Sequence, residues 1–339
     1  MMQQKKSNQK RNIKYLAIAG VVLLLLSILL SIAYGAKAVD FQDVILYLMG
    51  KHPDSYISNV IKARLPRTFF GILAGMSLSI SGLLMQSVTR NPIADPSILG
   101  VNTGAALFIV SGISFFHIQS KISYMGFAFI GGIVTAVFVY RLASLGSSGA
   151  TPIKLAISGA AISTAFSSII SMIVMPDSTV MNTYRFWQIG SIGGTSFGDI
   201  LLLLPFTAIA LIISLLLSTN LDTMLLSEET ARSLGLPIRR TRILAAFCGV
   251  LLCACTTALA GPISFLGLMI PHFIRALTGA NHRVMILLCG IYGSSILILS
   301  DVLGRRLGAP GELESGIMTA LLGAPVFVYI IRKAKLQSL

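Results

Sequence analysis

Two arginines three apart, Arg64 and Arg67, flank Leu65 and Pro66 beside a long apolar run, and a second pair, Arg305 and Arg306, follows another. Guanidinium forks pair carboxylates in a fixed geometry, so each pair suits either plain interface anchoring or the docking of an acidic partner. Pro66 fits the opening turn of a helix, which would leave Arg64 and Arg67 at the surface. A third charged feature covers residues 227–237. Ser227 can cap a helix start, Glu228 and Glu229 favour the positive N-terminal end, Arg232 follows, and Gly235, Leu236 and Pro237 close it. A charged helix inside an otherwise short loop is more than a connector needs, and it reads as a handle for a partner. Catalytic sets are not legible: His272, His282, Asp95 and Asp301 fall near opposite ends of apolar runs rather than together. Cys248, Cys253, Cys255 and Cys289 all lie within apolar runs. Cys253 and Cys255, two apart, point to different helix faces, so the cysteines read as small core residues, with no disulfide framework.

The elements that must carry these residues follow from composition. Charged residues make up 11% of the 339, against roughly 25% in a soluble globular protein. The hydrophobic fraction is 55% and the mean hydropathy +0.84. A soluble chain with so few charges could not keep that much apolar surface from water. The fold class is an all-α polytopic membrane protein. A hydrocarbon core of ~30 Å needs about 20 apolar residues in a helix. Residues 15–34, 65–88, 98–116, 122–140, 153–175, 200–218, 243–260, 284–303 and 317–331 qualify. A shorter stretch, 265–277, can be a helix shielded by protein. Counting it gives about ten transmembrane helices, with both termini on one side. An inside N-terminus divides the 26 lysines and arginines into 17 inner and 9 outer, the direction of the positive-inside rule, so the termini are expected in the cytoplasm. The same rule accounts for the net charge of +14 without invoking nucleic acid. The organisation expected is a basic tail over 1–14, one transmembrane domain over 15–332 and a short tail over 333–339. The first apolar run is too long for a signal core and lacks a small-x-small cleavage site, so it reads as a retained span.

Most spans have no ionisable residue in their middles. A proton- or sodium-driven carrier would be expected to keep carboxylates or broken helices near the midplane, so the driving energy is expected from elsewhere. No nucleotide-binding glycine loop is present, and ATP chemistry would need another chain. Small residues recur every four positions at Gly71, Gly75 and Ser79, and again at Ser163, Ser167 and Ser171. Such stripes serve close helix packing, or a polar-lined path at a subunit seam.

Five stretches then stand in order: RLPR at 64–67, SGLLMQSVTRNPIADPSILGVNTGAA at 81–106, ETARSLGLP at 229–237, GPISFLGLMIPHFIRALTGANHR at 261–283 and GAPVF at 323–327. With them the chain, from about residue 41 to 331, resembles the iron-siderophore and cobalamin permease subunits of type II ATP-binding-cassette importers. The resemblance implies a ten-helix permease paired with a second copy or a paralogue. It implies two cytosolic ATPase subunits that hold ATP and Mg, a substrate-binding protein docked outside, and no cofactor, metal or catalytic residue on this chain. The expected cargo is a ferric siderophore, with cobalamin or haem as alternatives. By position, Arg64, Arg67 and Arg305 would receive carboxylates of the binding protein. Ser227, Glu228, Glu229, Arg232, Gly235 and Leu236 would form the helix that couples to the ATPase. The cytoplasmic gate would fall at Asn91, Pro92 and Ile93, with Thr151 and Pro152. Pro271 and His272 match a motif that looks structural. One departure is Glu312-Leu313-Glu314-Ser315, where relatives of this kind usually read glutamate-leucine-proline. A secondary carrier working without an ATPase is the alternative from another class.

Overall fold

The computed structural model describes residues 2–35, 39–51, 55–146, 150–225 and 228–337, and every regular element among them is helical. In chain order these are α1 (Met2–Ala33), α2 (Phe41–Leu48), α3 (Ser55–Thr89), a 3-10 turn (Pro96–Leu99), α4 (Val101–Phe116), α5 (Lys121–Ala143), α6 (Pro152–Val174) and α7 (Ser178–Ile189). There follow α8 (Phe197–Leu216), α9 (Ser218–Met224), α10 (Glu228–Ser233), α11 (Ile238–Ala260), α12 (Leu266–Thr278), α13 (His282–Leu307) and α14 (Ser315–Gln337). Seven of them are long and apolar enough to cross a membrane: those holding 11–33, 56–89, 121–143, 153–174, 197–216, 238–260 and 282–307. Three shorter apolar helices run over Val101–Phe116, Leu266–Thr278 and Ser315–Tyr329.

The core is organised around α3, α11 and α13. Their apolar stretches are 78%, 78% and 67% buried inside the chain, whereas that of α6 is only 17% buried, so α6 is peripheral. Small residues explain how the central helices approach. A methyl group at Gly75 would strike the backbone of Gly293 and Ser294, and one at Gly82 would overlap the backbone of Gly267. Backbones that close let hydroxyls reach across: Ser294 Oγ donates to the Ile72 carbonyl at 2.7 Å, and Ser81 Oγ to that of Gly249. The 71–75–79 stripe is therefore packing between α3 and α13. All four cysteines are buried.

Several boundaries differ from the sequence reading. α3 starts at Ser55, about ten residues before the apolar run, so Pro66 lies inside the helix and not in its first turn. The extra turns are held by tertiary packing: Ile57, Val60 and Ile61 join Ile32, Val39 and Val44 in a satellite core beside α1 and α2. A side chain that finds such a partner outweighs local boundary signals. α4 is shorter than 98–116 because Asp95 caps the 3-10 turn, its Oδ1 accepting from Ser97 N at 2.9 Å, and Gly100 turns the chain at φ 71°. Three helices, α2, α7 and α9, were not anticipated. α7 starts at Asp177, whose carboxylate accepts from Thr179 N and Val180 N, and α9 fills what reads as a plain polar stretch.

Candidate functional site

At one end of the molecule the arginines predicted for docking come together, but not at the surface. Arg67, on α3, donates from Nε and Nη2 to both oxygens of Asp301 on α13 at 2.8–3.2 Å, and from Nη1 to Glu312 Oε2 at 2.7 Å. Arg305, one turn beyond Asp301, pairs with the same carboxylate at 3.0 Å. Its other nitrogens reach the Ser31 carbonyl at 3.2 Å and Ser31 Oγ at 3.1 Å. Arg64 donates to the carbonyls of Ile32 and Ala33 at 2.8 and 3.1 Å. The expectation that Arg64 and Arg67 stand at the surface is therefore corrected: Arg64 is 8% exposed and the Arg67 side chain 11%, and Arg305 is buried with them at 1%. The reason is the C-terminus of α1. A helix leaves its last carbonyls without partners and carries partial negative charge there, and two arginines supply donors and countercharge together. Arg64, Arg67, Arg305 and Glu312 all reach the wall of a cavity of about 860 Å³, shared with Lys62 and Tyr56, that opens at this end. Glu312 is part of a built ion-pair network and not a stray negative charge. Asp301 and Ser31 were not singled out for this site. The i,i+4 spacing of Asp301 and Arg305 is the one signal that was available.

At the opposite end of α3 lie the segments expected to form the gate and the handle. Arg90 takes a positive φ of 51° and turns the chain out of the helix. Asn91 then closes a turn, its Oδ1 accepting from Ile93 N at 3.0 Å, and Asn91, Pro92 and Ile93 are exposed. Thr151 caps α6 through Lys154 N at 3.3 Å, with Pro152 as the first helical residue. No hydrogen bond joins Thr151 to Asn91 among the described residues. α10 is shorter than the helix expected over 227–236, because Gly235 takes φ 78° and its N–H bonds back to Arg232 O, while Leu236 N reaches Ala231 O. Arg232 stands in its last turn. Ser227, and the side chains of Glu228 and Glu229, lie outside the described residues.

Sequence reasoning missed how this end is tied together. Asp222, on α9, accepts from His282 N at 2.7 Å and pairs with His282 Nδ1 at 2.7 Å. His282 Nε2 meets Ser87 Oγ on α3 at 2.7 Å. Two residues on, the Met224 carbonyl accepts from Arg90 Nη2 at 3.1 Å. The segment immediately before α10 is thus bonded both to Arg90, which leads into the Asn91–Ile93 turn, and, through the histidine, to α3 and α13. Ser87, His282 and Asp222 form a serine–histidine–carboxylate chain, but Ser87 Oγ also bonds its own helix at Leu83 O, 2.8 Å away. Its geometry is that of a brace.

The periphery carries the third feature. Thr164, Ser167, Ser168 and Ser171 on α6 are exposed, and the hydroxyls of Thr164, Ser168 and Ser171 bond back along the helix, Thr164 to Ala160 O and Ser171 to Ser167 O at 2.9 Å. Ser163 alone is used within the chain, accepting from Thr103 at 3.1 Å. Beside this helix, α4, α7 and the 261–265 loop enclose a cavity of about 300 Å³ with Asn102, Thr103, Trp187, Gln188 and Ser264 in its wall.

The sequence profile of the FecCD transport family matches residues 23–333. The chain belongs to the FecCD transport family. This permease is 36% identical over 319 residues to the ferric enterobactin transport system permease protein FepD of Escherichia coli, covering 94% of this chain and 95% of that protein. It is 35% identical over 321 residues to the Fe(3+)-citrate import system permease protein YfmD of Bacillus subtilis, covering 94% of each. Its fold matches a solved metal-chelate type ABC transporter in an inward-facing conformation with a TM-score of 0.82 at 27% identity, over 95% of this chain and 99% of that one. This permease is a multi-pass protein of the bacterial cell membrane, and a transport protein rather than an enzyme.

Proposed function

We propose that this permease is the membrane subunit of an ATP-driven importer that carries ferric siderophore into the cytoplasm. The observation that carries the reading is α6: a long apolar helix, almost unburied in its own chain, whose exposed face is lined with hydroxyls. Hydroxyls of that kind find partners at helix interfaces rather than in lipid tails. A second permease laid against α6 would cover them and leave a hydroxyl-lined seam next to the Asn102–Trp187 cavity. Supporting the cargo is the pattern among relatives, whose names specify ferric enterobactin and ferric citrate. A bulky, amphipathic metal chelate needs walls that wet it without gripping it, because tight binding would slow release.

On this reading the ten apolar helices all span or enter the bilayer, with both termini in the cytoplasm. The partners are a second permease, identical or paralogous, two cytosolic ATPases holding ATP and Mg, and an external substrate-binding protein. The ATPases push on α10, and the push passes through α9 to Arg90 by way of Met224 and to α3 and α13 by way of Asp222 and His282. The binding protein docks over the 860 Å³ cavity. There Arg67 and Lys62 are the cations within reach, while Arg64 and Arg305 hold the platform from beneath.

The test is uptake of labelled iron in a strain deleted for this gene. Hydroxamate and catecholate siderophores, haem and labelled cobalamin would be offered in parallel. Loss of one ferric siderophore, restored by this gene only together with its ATPase, is the expected result. Restored uptake without any ATPase would instead identify a secondary carrier, and loss confined to cobalamin or haem would reassign the cargo.

A further inference from the structure

We propose that Asn102 is a hydrogen-bond donor with which the passage touches its cargo, an assignment that rests on the importer reading above. The cavity of about 300 Å³ beside α6 is walled by Asn102 on α4, by Tyr184, Trp187 and Gln188 on α7, and by Ser264. None of its wall residues carries a charge. Asn102 is half-buried, and α11 fixes which way round its amide sits. Thr257 Oγ1 donates to Asn102 Oδ1 at 3.1 Å and Cys253 Sγ does so at 3.8 Å, from residues 1% and 2% exposed. A hydroxyl and a thiol aimed at one atom make that atom the carbonyl oxygen. The other end is then Nδ2. Among the described residues it has no hydrogen bond, and it is not closed off from open space. The open space beside Asn102 is this cavity.

The same wall is held under backbone strain. Ser264 is exposed on it, and the next residue, Phe265, takes a φ of 70°. A bulky side chain in the left-handed region is costly, persists only where its surroundings hold it, and tends to mark sites that bind. Phe265 is held by its close approach to Gly323 and by the ring of Phe327 at 6.3 Å. A ferric siderophore presents the oxygens that hold its iron. An amide N–H donates to such an oxygen while bringing no charge of its own. The bond is roughly half as strong as one from a guanidinium, so the chelate is oriented without being trapped. At about 300 Å³ the cavity takes one edge of the chelate and leaves the rest to the seam along α6. Small-ligand sites run to about 300–1,000 Å³, which places this one at the low end.

The experiment uses proteoliposomes holding the full-length permease with its ATPase, ATP inside and the binding protein outside. Ferric enterobactin, ferric citrate and a ferric hydroxamate are offered in separate arms, and uptake of labelled iron is read per ATP hydrolysed. Asn102→Asp keeps the oxygen that Thr257 uses and exchanges only the Nδ2 donor for a second oxygen, which repels those of the chelate. In every arm that the wild type carries, uptake per ATP should fall about ten-fold or more. Gln188→Trp, which fills the cavity from an exposed position on α7, should lower it as well. If Asn102 serves only to hold Thr257, Asn102→Asp keeps the wild-type ratio, and that result overturns the proposal while the importer stands. Should Asn102→Asp lower the unfolding midpoint, Gln188→Trp decides alone, and an unchanged ratio there overturns the proposal. A wild-type complex that carries none of the three chelates removes the importer reading, and the proposal with it.

Discussion

Asp301 is fully buried and answers two arginines at once, and its partners differ sharply in what they are worth. Arg305 is 1% exposed and reaches the α1 terminus as well, so its removal leaves a buried carboxylate with one arginine in place of two and takes the donors from the Ser31 carbonyl and hydroxyl. Arg305→Met should lower stability by about 3 kcal/mol, since breaking a buried pair from one side leaves the carboxylate short of countercharge and the α1 end short of donors. Glu312 has a side chain 40% exposed, and Glu312→Gln should change stability by no more than about 1 kcal/mol. Unfolding midpoints of the two variants in detergent check this contrast, and equal shifts would refute it. The same contrast redirects the docking test. Charge reversal at Arg64 or Arg305 would dismantle the platform, whereas Lys62 is exposed on the cavity rim. Lys62→Glu should weaken capture of the binding protein while the midpoint stays unchanged. Arginine type and spacing were readable in the chain, but their burial was not, because the carbonyls they satisfy belong to residues more than thirty positions away.

Among elements, the central trio depends on backbone contact and the outer helix on its absence. Gly82 meets the Gly267 backbone with no room for a side chain. Gly82→Val should separate α3 from α12 and abolish recovery of folded protein, measured as the monodisperse fraction on size exclusion. Recovery at the normal level would show that the two backbones can part cheaply. On α6 the opposite holds: Ser168 is exposed and packs on nothing within the chain. Ser168→Trp should leave the isolated chain folded but reduce pairing with the second permease, read from the mass of the assembled complex by light scattering. The stripes looked alike in the sequence. Only the three-dimensional arrangement separates Gly71, Gly75 and Ser79, consumed by packing, from Ser167 and Ser171, left facing outward.

For the whole molecule, the proposed function requires that force on one short helix become movement of the passage. α10 is six residues long and contacts little of the core, yet the preceding α9 is bonded to Arg90, His282 and, through it, Ser87. Replacing Glu228 and Glu229 by lysine should let ATP hydrolysis continue while uptake falls. Asp222→Asn should do the same by weakening the brace. Hydrolysis and uptake falling in parallel in both variants would mean that the segment only holds the subunits together. The chain by itself determined that this is a helical membrane protein with uncharged spans, because hydropathy and charge bias are sums over local composition and need no contacts. It also carried the family motifs in order. What only the tertiary structure decided is which polar groups are spent inside. A buried arginine, a glycine under a crossing backbone and a histidine between an aspartate and a serine are each defined by a partner distant in sequence, and no local pattern encodes that distance.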